Sequence, residues 1–278
     1  MTRTSIATTL CVAMFATAPA SADLVMLSVA DNLDAAIGGL TGLEDIDVVQ
    51  YNTATDSATI ILQNSDFDIG SGDTNAVHYM PNGNIVMSNL FNAQIAGLAF
   101  EDDDLVEYNP NTNTASLLFD GSALFDSTAE DIDAVYVRDN GNIVMSTLAD
   151  AGLGGLSFGN GDIIEYNPNT DTATLLVAES DLFDDGAGNV DAVHILENGN
   201  LLISALDTTE TVSGIVFNDG DVFEYNPLTD TASLYLSESV FTSTGLANDI
   251  DGFTLVPEPG TFGLLLLSMG YVLRRRAA

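Results

Sequence analysis

The body of this chain is a tandem repeat of about 58 residues, and this repeat limits the possible folds more than any other feature. Two dipeptides mark its register. The Tyr-Asn pair begins at Tyr51, Tyr108, Tyr166 and Tyr225. The Asn-Gly pair begins at Asn82, Asn140 and Asn198. A regular period of this length indicates a supersecondary unit that buries its apolar face against its neighbours. The fold must therefore be assembled from about four similar units.

Each unit predicts four strands. In the second full unit, residues 131–137 and 142–148 are apolar runs that flank Asn140-Gly141, a strong signal for a tight β-hairpin. After a longer loop at residues 149–161, strands are expected at residues 162–166 and 172–177. The segment between them, residues 167–171, contains Asn-Pro-Asn-Thr, which favours a turn. No helical period of useful length occurs between the two termini.

A repeated four-stranded meander is typical of a β-propeller blade. Residues 23–29 match the second strand of the unit, and residues 249–255 match the first strand. Pairing of these two segments would complete a blade and remove exposed sheet edges. The sequence therefore predicts an all-β, four-repeat, β-propeller-like ring over residues 23–255, closed by its terminal strands. A smaller ring and an open array of the units are the alternatives.

The charge of the chain is strongly negative. It has 41 acidic residues and a formal net charge of −36, and Arg138 is the only Arg or Lys between the two termini. Such a surface repels nucleic acid and anionic lipid and attracts cations, so nucleic-acid binding is excluded as a function. Cys11 is the only cysteine and lies in the segment predicted to be removed. The mature chain is therefore expected to lack disulfides and thiolate metal sites.

Residues 1–22 have the features of a secretory signal peptide. Arg3 supplies the positive charge, residues 6–17 form the apolar stretch, and Ala20-Ser21-Ala22 is an A-x-A cleavage sequence. The mature chain is expected to begin at Asp23, outside the inner membrane.

Residues 256–278 contain three features in a fixed order. They are the motif Pro257, Glu258 and Pro259, the apolar residues 261–273, and the basic cluster Arg274, Arg275 and Arg276. This tail resembles the PEP-CTERM sorting signal of Gram-negative bacteria. The resemblance implies export across the inner membrane, processing by an exosortase-type enzyme, and an organism that makes extracellular polysaccharide. The protein would be membrane-anchored or released to the cell surface or matrix. Thirteen residues span about 20 Å of helix, less than the ~30 Å bilayer core, which favours a transient anchor.

Acidic pairs recur before two strands of each unit. Before the first strand they are Asp73/Asn75, Asp131/Asp133, Asn189/Asp191 and Asp249/Asp251. Before the third strand they are Asp45/Asp47, Asp102/Asp104, Asn160/Asp162 and Asp219/Asp221. In a propeller both groups lie on one face, and the first group surrounds the mouth of the central channel.

Carboxylates about 5 Å apart repel by about 3 kcal/mol at an effective dielectric constant of ~20. They therefore need a cation, raised pKa values or backbone donors. Oxygen ligands at flexible spacing suit Ca²⁺ better than transition metals. The expected ligands are Asp131, Asp133, Asp249, Asp251, Asp73 and Asp191. The alternatives are that each Asp caps its own loop, or that the acids are catalytic.

Other polar residues recur without forming a known catalytic motif. His78 and His194 are assigned to the same position of the repeat as Tyr136 and Phe253. A position that accepts Phe is predicted to pack against other side chains and not to act as a ligand or a base. Glu107, Glu165 and Glu224 are expected to bind the adjoining turn. Ser28, Ser88, Ser146 and Ser204 have no general base at a suggestive position.

The sequence thus favours a non-catalytic surface or matrix protein, with Ca²⁺ on its acidic face and polysaccharide as a candidate ligand. The alternatives are a Ca²⁺-dependent propeller hydrolase or lactonase, and a purely structural surface protein.

Overall fold

The structure is a computed structural model that describes residues 23–29, 35–69, 73–126, 131–186, 188–206, 209–242 and 249–257. Strands are the main regular structure of the described residues, and the helical segments are single short turns, which confirms the all-β prediction. The predicted signal peptide and the tail from Glu258 onwards lie outside these residues.

The strands follow the repeat. The first unit contains β1 (Leu24–Ser28), β2 (Ala35–Ile37), β3 (Leu40–Leu43), β4 (Val48–Asn52), β5 (Ser57–Leu62), a 3-10 turn (Asn64–Asp66) and β6 (Phe67–Ile69). The second contains β7 (Ala76–Tyr79), β8 (Ile85–Ser88), β9 (Ala93–Ile95), β10 (Leu98–Phe100), β11 (Leu105–Asn109), β12 (Thr114–Phe119) and helix α1 (Gly121–Leu124).

The third unit contains β13 (Ile132–Val137), β14 (Ile143–Thr147), β15 (Ala151–Leu153), β16 (Leu156–Phe158), β17 (Ile163–Asn167), β18 (Thr172–Val177) and helix α2 (Glu179–Leu182). The fourth contains β19 (Val190–Ile195), β20 (Leu201–Ala205), β21 (Thr209–Val212), β22 (Ile215–Asn218), β23 (Val222–Asn226), β24 (Thr231–Leu236) and a 3-10 turn (Glu238–Val240). Strand β25 (Gly252–Val256) follows it.

Four antiparallel sheets have four strands each. Their orders are β25-β1-β4-β5, β7-β8-β11-β12, β13-β14-β17-β18 and β19-β20-β23-β24. The four strands predicted for each unit are therefore confirmed, with bounds that agree to within one or two residues in the third unit.

The first and last strands of the described chain pair with each other. Strand β1 lies antiparallel to β25, with a register that runs from Leu24 opposite Val256 to Ser28 opposite Gly252. This pairing confirms the predicted contact between residues 23–29 and 249–255. A second link joins the same ends of the chain, because Ile37 forms an isolated β-bridge with Phe241.

The core lies between successive sheets. The first strands of the four sheets contact one another in the order β7, β13, β19, β25 and back to β7. Four buried apolar clusters each join two sheets that are consecutive in this order. The cluster between the last and first sheets combines Leu202 and Val222 with Val25 and Val49. Each sheet therefore buries apolar side chains against two neighbours, as a repeat of this kind requires.

The recurrent Tyr-Asn pair organises the turn between the third and fourth strands of each unit. In the third unit, the Tyr166 hydroxyl donates to Asp171 Oδ1 at 3.1 Å, and Asn167 Oδ1 accepts from the Asn169 N–H at 2.9 Å. Asp171 has a φ of 50°, a conformation that Asp and Asn tolerate better than most residues. The Tyr therefore recurs because its ring is buried and its hydroxyl fixes the residue with positive φ.

Residues 149–161 were predicted to form a long loop, but they contain regular structure that the sequence did not indicate. This structure is the hairpin β15–β16, in which Gly154 and Gly155 have φ values of 56° and 80°, as a type I′ turn requires. Equivalent hairpins are β2–β3, β9–β10 and β21–β22. The unit is long because each one carries this additional hairpin.

The segment after each fourth strand attaches to the hairpin of the next unit. Phe67 pairs with Ile95, and Phe125 forms a β-bridge with Leu153. At the corresponding place in the next unit, the Asp184 N–H donates to the Thr211 carbonyl at 2.8 Å. The Ile37–Phe241 bridge is the fourth member of this set. Neighbouring units are therefore joined near the first strands and again through these hairpins.

Candidate cation site

The acidic pairs that precede the first strands meet at one end of β7, β13, β19 and β25. They line a cavity of about 210 Å³ together with leucines that follow the second strands. The lining residues are Asp73, Asn75, Asp133, Asp191, Asp251, Leu90, Leu148 and Leu206. Asp133 and Asp191 lie at β-bulges, where the register shifts by one residue. A bulge of this kind redirects a side chain. The two bulges therefore account for acidic groups at one end of strands that are otherwise apolar.

Two of the four junctions between neighbouring units pair an amide with a carboxylate. Asn75 Nδ2 donates to Asp131 Oδ2 at 3.1 Å. Asn189 Nδ2 donates to Asp133 Oδ2 at 2.9 Å. In both cases the second position of one acidic pair contacts the first position of the next pair along the chain. The amide thus supplies a donor to each of these carboxylates.

The other two junctions contain only carboxyl groups. One carboxylate oxygen from each of Asp191, Asp249 and Asp251 lies within 4.8 Å of the others. Asp251 also interacts with Asp73 across the remaining junction. Its Oδ2 atom is buried and has no hydrogen-bond partner. The structure thus brings together Asp73, Asp191, Asp249 and Asp251, whereas the predicted ligands Asp131 and Asp133 each already accept an amide hydrogen bond.

Burial makes these carboxyl groups hard to ionise. Burial, followed by repulsion from Asp133, raises the pKa of Asp131 to about 8, and the hydrogen bond from Asn75 opposes this shift. Burial also raises the pKa of Asp133 to about 7. For Asp251, burial and then repulsion from Asp73, Asp191 and Asp249 raise the pKa well above its ordinary value. A cation in the cavity would favour the ionised forms.

The acidic pairs before the third strands have a different role. Asp104 is buried, and its Oδ1 accepts from the Gly121 N–H at 3.0 Å while its Oδ2 accepts from the Glu101 N–H at 2.9 Å. Asp162 and Asp221 make the equivalent pairs of bonds. The capping alternative is therefore confirmed for these three residues, which connect a turn to the segment that follows the fourth strand.

Replacing Asp104 with Ala is expected to destabilise the protein by about 2–4 kcal/mol, because two backbone N–H groups lose a charged acceptor. The matched control is Asp139→Ala, since Asp139 is exposed, and we expect a change within ~0.5 kcal/mol. Urea unfolding of the two variants measures the difference. Equal stabilities would contradict a structural role for Asp104.

The two histidines lie on β7 and β19, the first strands of their units. Phe253 was assigned from the sequence to the same position of the repeat, and this alignment was wrong. The fourth residue at that position is Thr254, because Phe253 aligns with Val135. His194 Nδ1 lies 3.0 Å from Thr254 Oγ1, and His78 Nδ1 lies 3.4 Å from the same hydroxyl. Burial lowers the pKa of His78 to about 3 and that of His194 to about 4. Both side chains are thus neutral and packed, as a core position requires, although they face a hydroxyl and not a Phe ring.

The recurrent glutamates and two of the four recurrent serines have structural partners, whereas the hydroxyls of Ser28 and Ser146 are buried without a hydrogen-bond partner. Asn142 Nδ2 donates to Glu165 Oε1 at 2.6 Å, and the same contact joins Asn84 to Glu107 and Asn200 to Glu224. The prediction that these glutamates bind the adjoining turn is confirmed. Ser88 Oγ donates to the Asp102 carbonyl, and Ser204 Oγ donates to the Asp219 carbonyl. These two serines therefore hold the turn that precedes a third strand.

Part of the predicted sorting tail can be placed. Pro257 is exposed and directly follows β25. Glu258, Pro259, Arg274, Arg275 and Arg276 lie outside the described residues, as does the signal segment. Within the described ranges, the helices are too short to cross a membrane.

Comparisons with known proteins give little further information. No protein-family model matches this chain, and no curated protein matches it. Solved structures show distant similarity. An auxiliary nutrient binding protein from Bacteroides thetaiotaomicron is 9% identical, with a TM-score of 0.36, over 78% of this chain and 49% of that one. A protein of the same description from Bacteroides ovatus is 14% identical, with a TM-score of 0.34, over 76% of this chain and 40% of that one.

YCF48 bound to D1 peptide is 10% identical, with a TM-score of 0.32, over 79% of this chain and 54% of YCF48. The chain spans less than two thirds of the length of each of these three structures. Similarities at this level support no argument about function.

Proposed function

We propose that this protein is an exported, non-catalytic four-bladed β-propeller whose acidic channel mouth binds Ca²⁺. The observation that carries the proposal is the group of four carboxyl side chains, Asp73, Asp191, Asp249 and Asp251, beside a cavity of about 210 Å³. The Asp251 side chain is buried, and its Oδ2 atom has no hydrogen-bond partner. Buried carboxylates need compensation by a cation, a proton or a donor.

The propeller interpretation is supported by the cyclic order of contacts among β7, β13, β19 and β25. It is also supported by the four apolar clusters, one for each pair of consecutive sheets. The pairing of β1 with β25 would make the first blade from both ends of the chain. In such a ring, the cavity between the acidic pairs is the mouth of the central channel.

The donor chemistry favours Ca²⁺ over a transition metal. The four groups are carboxyls, and hard oxygen ligands with flexible geometry suit Ca²⁺. The described mouth combines carboxyl groups with leucines and shows no nucleophile paired with a base, which favours binding over hydrolysis. Export, tail processing by an exosortase-type enzyme, membrane contact through the tail and association with polysaccharide rest on the resemblance of residues 256–278 to a PEP-CTERM signal.

Calcium binding to the folded state should raise the melting temperature. Ion that binds only the folded protein stabilises it by about 2.7 kcal/mol at a concentration 100 times the Kd. The measurement is thermal melting of the chain without its signal segment, in CaCl₂, in NaCl of equal ionic strength, and in EDTA. NaCl controls for general screening of the acidic surface. Equal shifts in CaCl₂ and NaCl would contradict a specific site and leave the acids as a solvating, structural feature.

A further inference from the structure

We propose that strands β12 and β24 pair edge to edge with the same strands of other copies of this chain, so that the protein assembles into linear chains. This inference does not depend on the cation site. Each four-stranded sheet ends in the fourth strand of its unit, namely β5, β12, β18 or β24, and each of these strands has a neighbour in its sheet on one side only. Such an edge offers N–H and C=O groups to another strand unless the protein covers it.

The four outer strands lack the residues that commonly protect an exposed edge. Each has six residues, and none of these is acidic, basic, proline or glycine. Proteins protect edges with charged side chains or proline, and this chain has 41 acidic residues from which to do so. The fourth residue of each outer strand is apolar and 40–53% exposed. These residues are Ile60, Leu117, Leu175 and Leu234.

Two of the four edges are covered by the hairpin of their own unit. The Ala58 N–H, which points away from β4, donates to the Gly38 carbonyl at 3.0 Å. The Ala173 N–H donates to the Gly154 carbonyl at 3.2 Å. Glycine permits this contact, because a Cβ atom would lie 2.5 Å from the strand nitrogen at Gly38 and 2.6 Å at Gly154. The hairpins β2–β3 and β15–β16 therefore cover the edges of β5 and β18.

The second and fourth units have a different residue at this turn position. Ala96 and Ser213 occupy it, with φ values of 50° and 51°. Their Cβ atoms exclude the close approach that glycine permits. The equivalent N–H groups, those of Ala115 and Ala232, have the same register with the third strand but do not make this bond. In the part of the chain that the structure describes, the edges of β12 and β24 are thus open.

The same two hairpins are held by the preceding unit instead. The Gly97 N–H donates to Asp68 Oδ2 at 2.6 Å, and the Gly214 N–H donates to Asp184 Oδ2 at 2.8 Å. Both turns are therefore fixed by a contact that does not involve the outer strand beside them.

The charge distribution indicates a second copy of this chain as the occupant. A basic partner would be attracted to the acidic turns and would gain no charge pairing at an uncharged strand. Two copies of an acidic chain, in contrast, can meet at these strands without bringing carboxylates together. Strands β12 and β24 also begin with the same four residues, Thr-Ala-Ser-Leu. Antiparallel pairing of such like strands is self-complementary.

Two open edges on each copy lead to chains and not to dimers. The second and fourth units are not consecutive in the order of contacts among β7, β13, β19 and β25. Pairing at one open edge therefore leaves the other accessible, and repeated pairing continues without closing. The net charge of −36 opposes association at low salt. Screening should favour it, because the Debye length falls from about 30 Å at 0.01 M to about 8 Å at 0.15 M ionic strength.

Sedimentation velocity of the exported chain tests the proposal, in EDTA and in NaCl from about 0.01 M to about 0.5 M. We expect a monomer at low salt and species larger than dimers at high salt. Leu117→Glu/Leu234→Glu places a carboxylate on each open edge and should keep the protein monomeric. The matched control Ile60→Glu/Leu175→Glu adds the same charge at equivalent positions of the covered edges and should assemble as the parent does.

A single variant tests the number of open edges. Leu117→Glu alone leaves only β24 open, so its association should stop at the dimer. This variant also serves if the double variant does not fold. Hydrogen exchange gives a second measurement. In the monomer, the amides of Ala58 and Ala173 should exchange more slowly than those of Ala115 and Ala232, and assembly should slow the latter two.

Three results would overturn the proposal. The first is a parent protein that stays monomeric at every salt concentration. The second is assembly that both double variants retain, because the contact would then lie outside the open edges. The third is assembly lost only in the Ile60/Leu175 variant. Since calcium is absent from these measurements, none of the three bears on the proposed cation site.

Discussion

Deletion of residues 249–257 is expected to destabilise the protein strongly and to promote its aggregation. The deletion removes Ile250 and Phe253, which are fully buried in the cluster between the last and first sheets. Burial of two such side chains contributes about 3–6 kcal/mol, against a total stability of about 5–15 kcal/mol for a typical domain. It also leaves β1 with an unpaired edge, which promotes association with other chains. Size-exclusion chromatography and urea unfolding measure both effects.

A point variant tests the same contact without exposing the sheet edge. Phe253→Ala should cost about 3–5 kcal/mol because it leaves a cavity between two sheets. The control Leu234→Ala changes a side chain that is 53% exposed, so its effect should be within ~0.5 kcal/mol. A deletion mutant that remains monomeric and as stable as the parent would show that β25 does not close the fold.

In EDTA, two neutral histidines, one buried and one half-buried, are expected to contribute stability that is lost as the pH falls from about 6.5 towards 3. Their pKa values are lowered from 6.5 to about 3 for His78 and about 4 for His194. Between these values and 6.5 the unfolded chain binds protons that the folded chain does not. The stabilising contribution is therefore complete above pH 6.5 and is lost on acidification. One pKa unit corresponds to about 1.4 kcal/mol, so the combined effect is on the order of several kcal/mol.

Asp131 and Asp133 give the opposite dependence, over a pH range that overlaps that of the histidines between about 4 and 6.5. The pKa values of Asp131 and Asp133 are raised to about 8 and about 7. Their stabilising contribution is therefore present below the ordinary Asp pKa and is lost as the pH rises towards 7–8. Urea unfolding from pH 3 to pH 9 should separate the two effects. His78→Gln/His194→Gln should remove the contribution to the unfolding free energy that is lost on acidification below about pH 6.5, and Asp131→Asn/Asp133→Asn should remove the contribution that is lost as the pH rises from about 4 to 8. An unchanged acidic side in the histidine variant would contradict the assignment.

The regular part of the fold was predictable because its determinants are local. The Asn-Gly and Tyr-Asn pairs act within a few residues of themselves, through Gly141 with its φ of 84° and through the Tyr166–Asp171 hydrogen bond. The pairing of the terminal strands was also predictable, since each end lacks a strand that the other supplies. The extra hairpins were missed because their turn varies between units. It is Gly154-Gly155 in the third unit but Ser213-Gly214 in the fourth.

The arrangement of the acidic site was less predictable because it depends on contacts between units. Sequence placed the acidic pairs at one end of the first strands, but it could not show which position faces which. Asn75 contacts Asp131 and Asp133 contacts Asn189, and in both cases the two residues are 56 positions apart. This separation is two residues less than the repeat, because neighbouring strands are staggered. Noting that offset would have placed the second position of each acidic pair opposite the first position of the next pair.

The antiparallel pairing of β1 with β25 determines how a pulling force applied through the C-terminal tail would act on the fold. The chain leaves the described structure at Pro257, one residue beyond the Val256–Leu24 pair. A pulling force on the tail would thus act first on a strand that contacts β7 and β19 as well as β1. A tether on a peripheral strand would peel away one sheet edge, whereas this attachment point transmits tension into three sheets at once. If the protein were tethered in this way, the contacts of β25 with β1, β7 and β19 would set its mechanical strength.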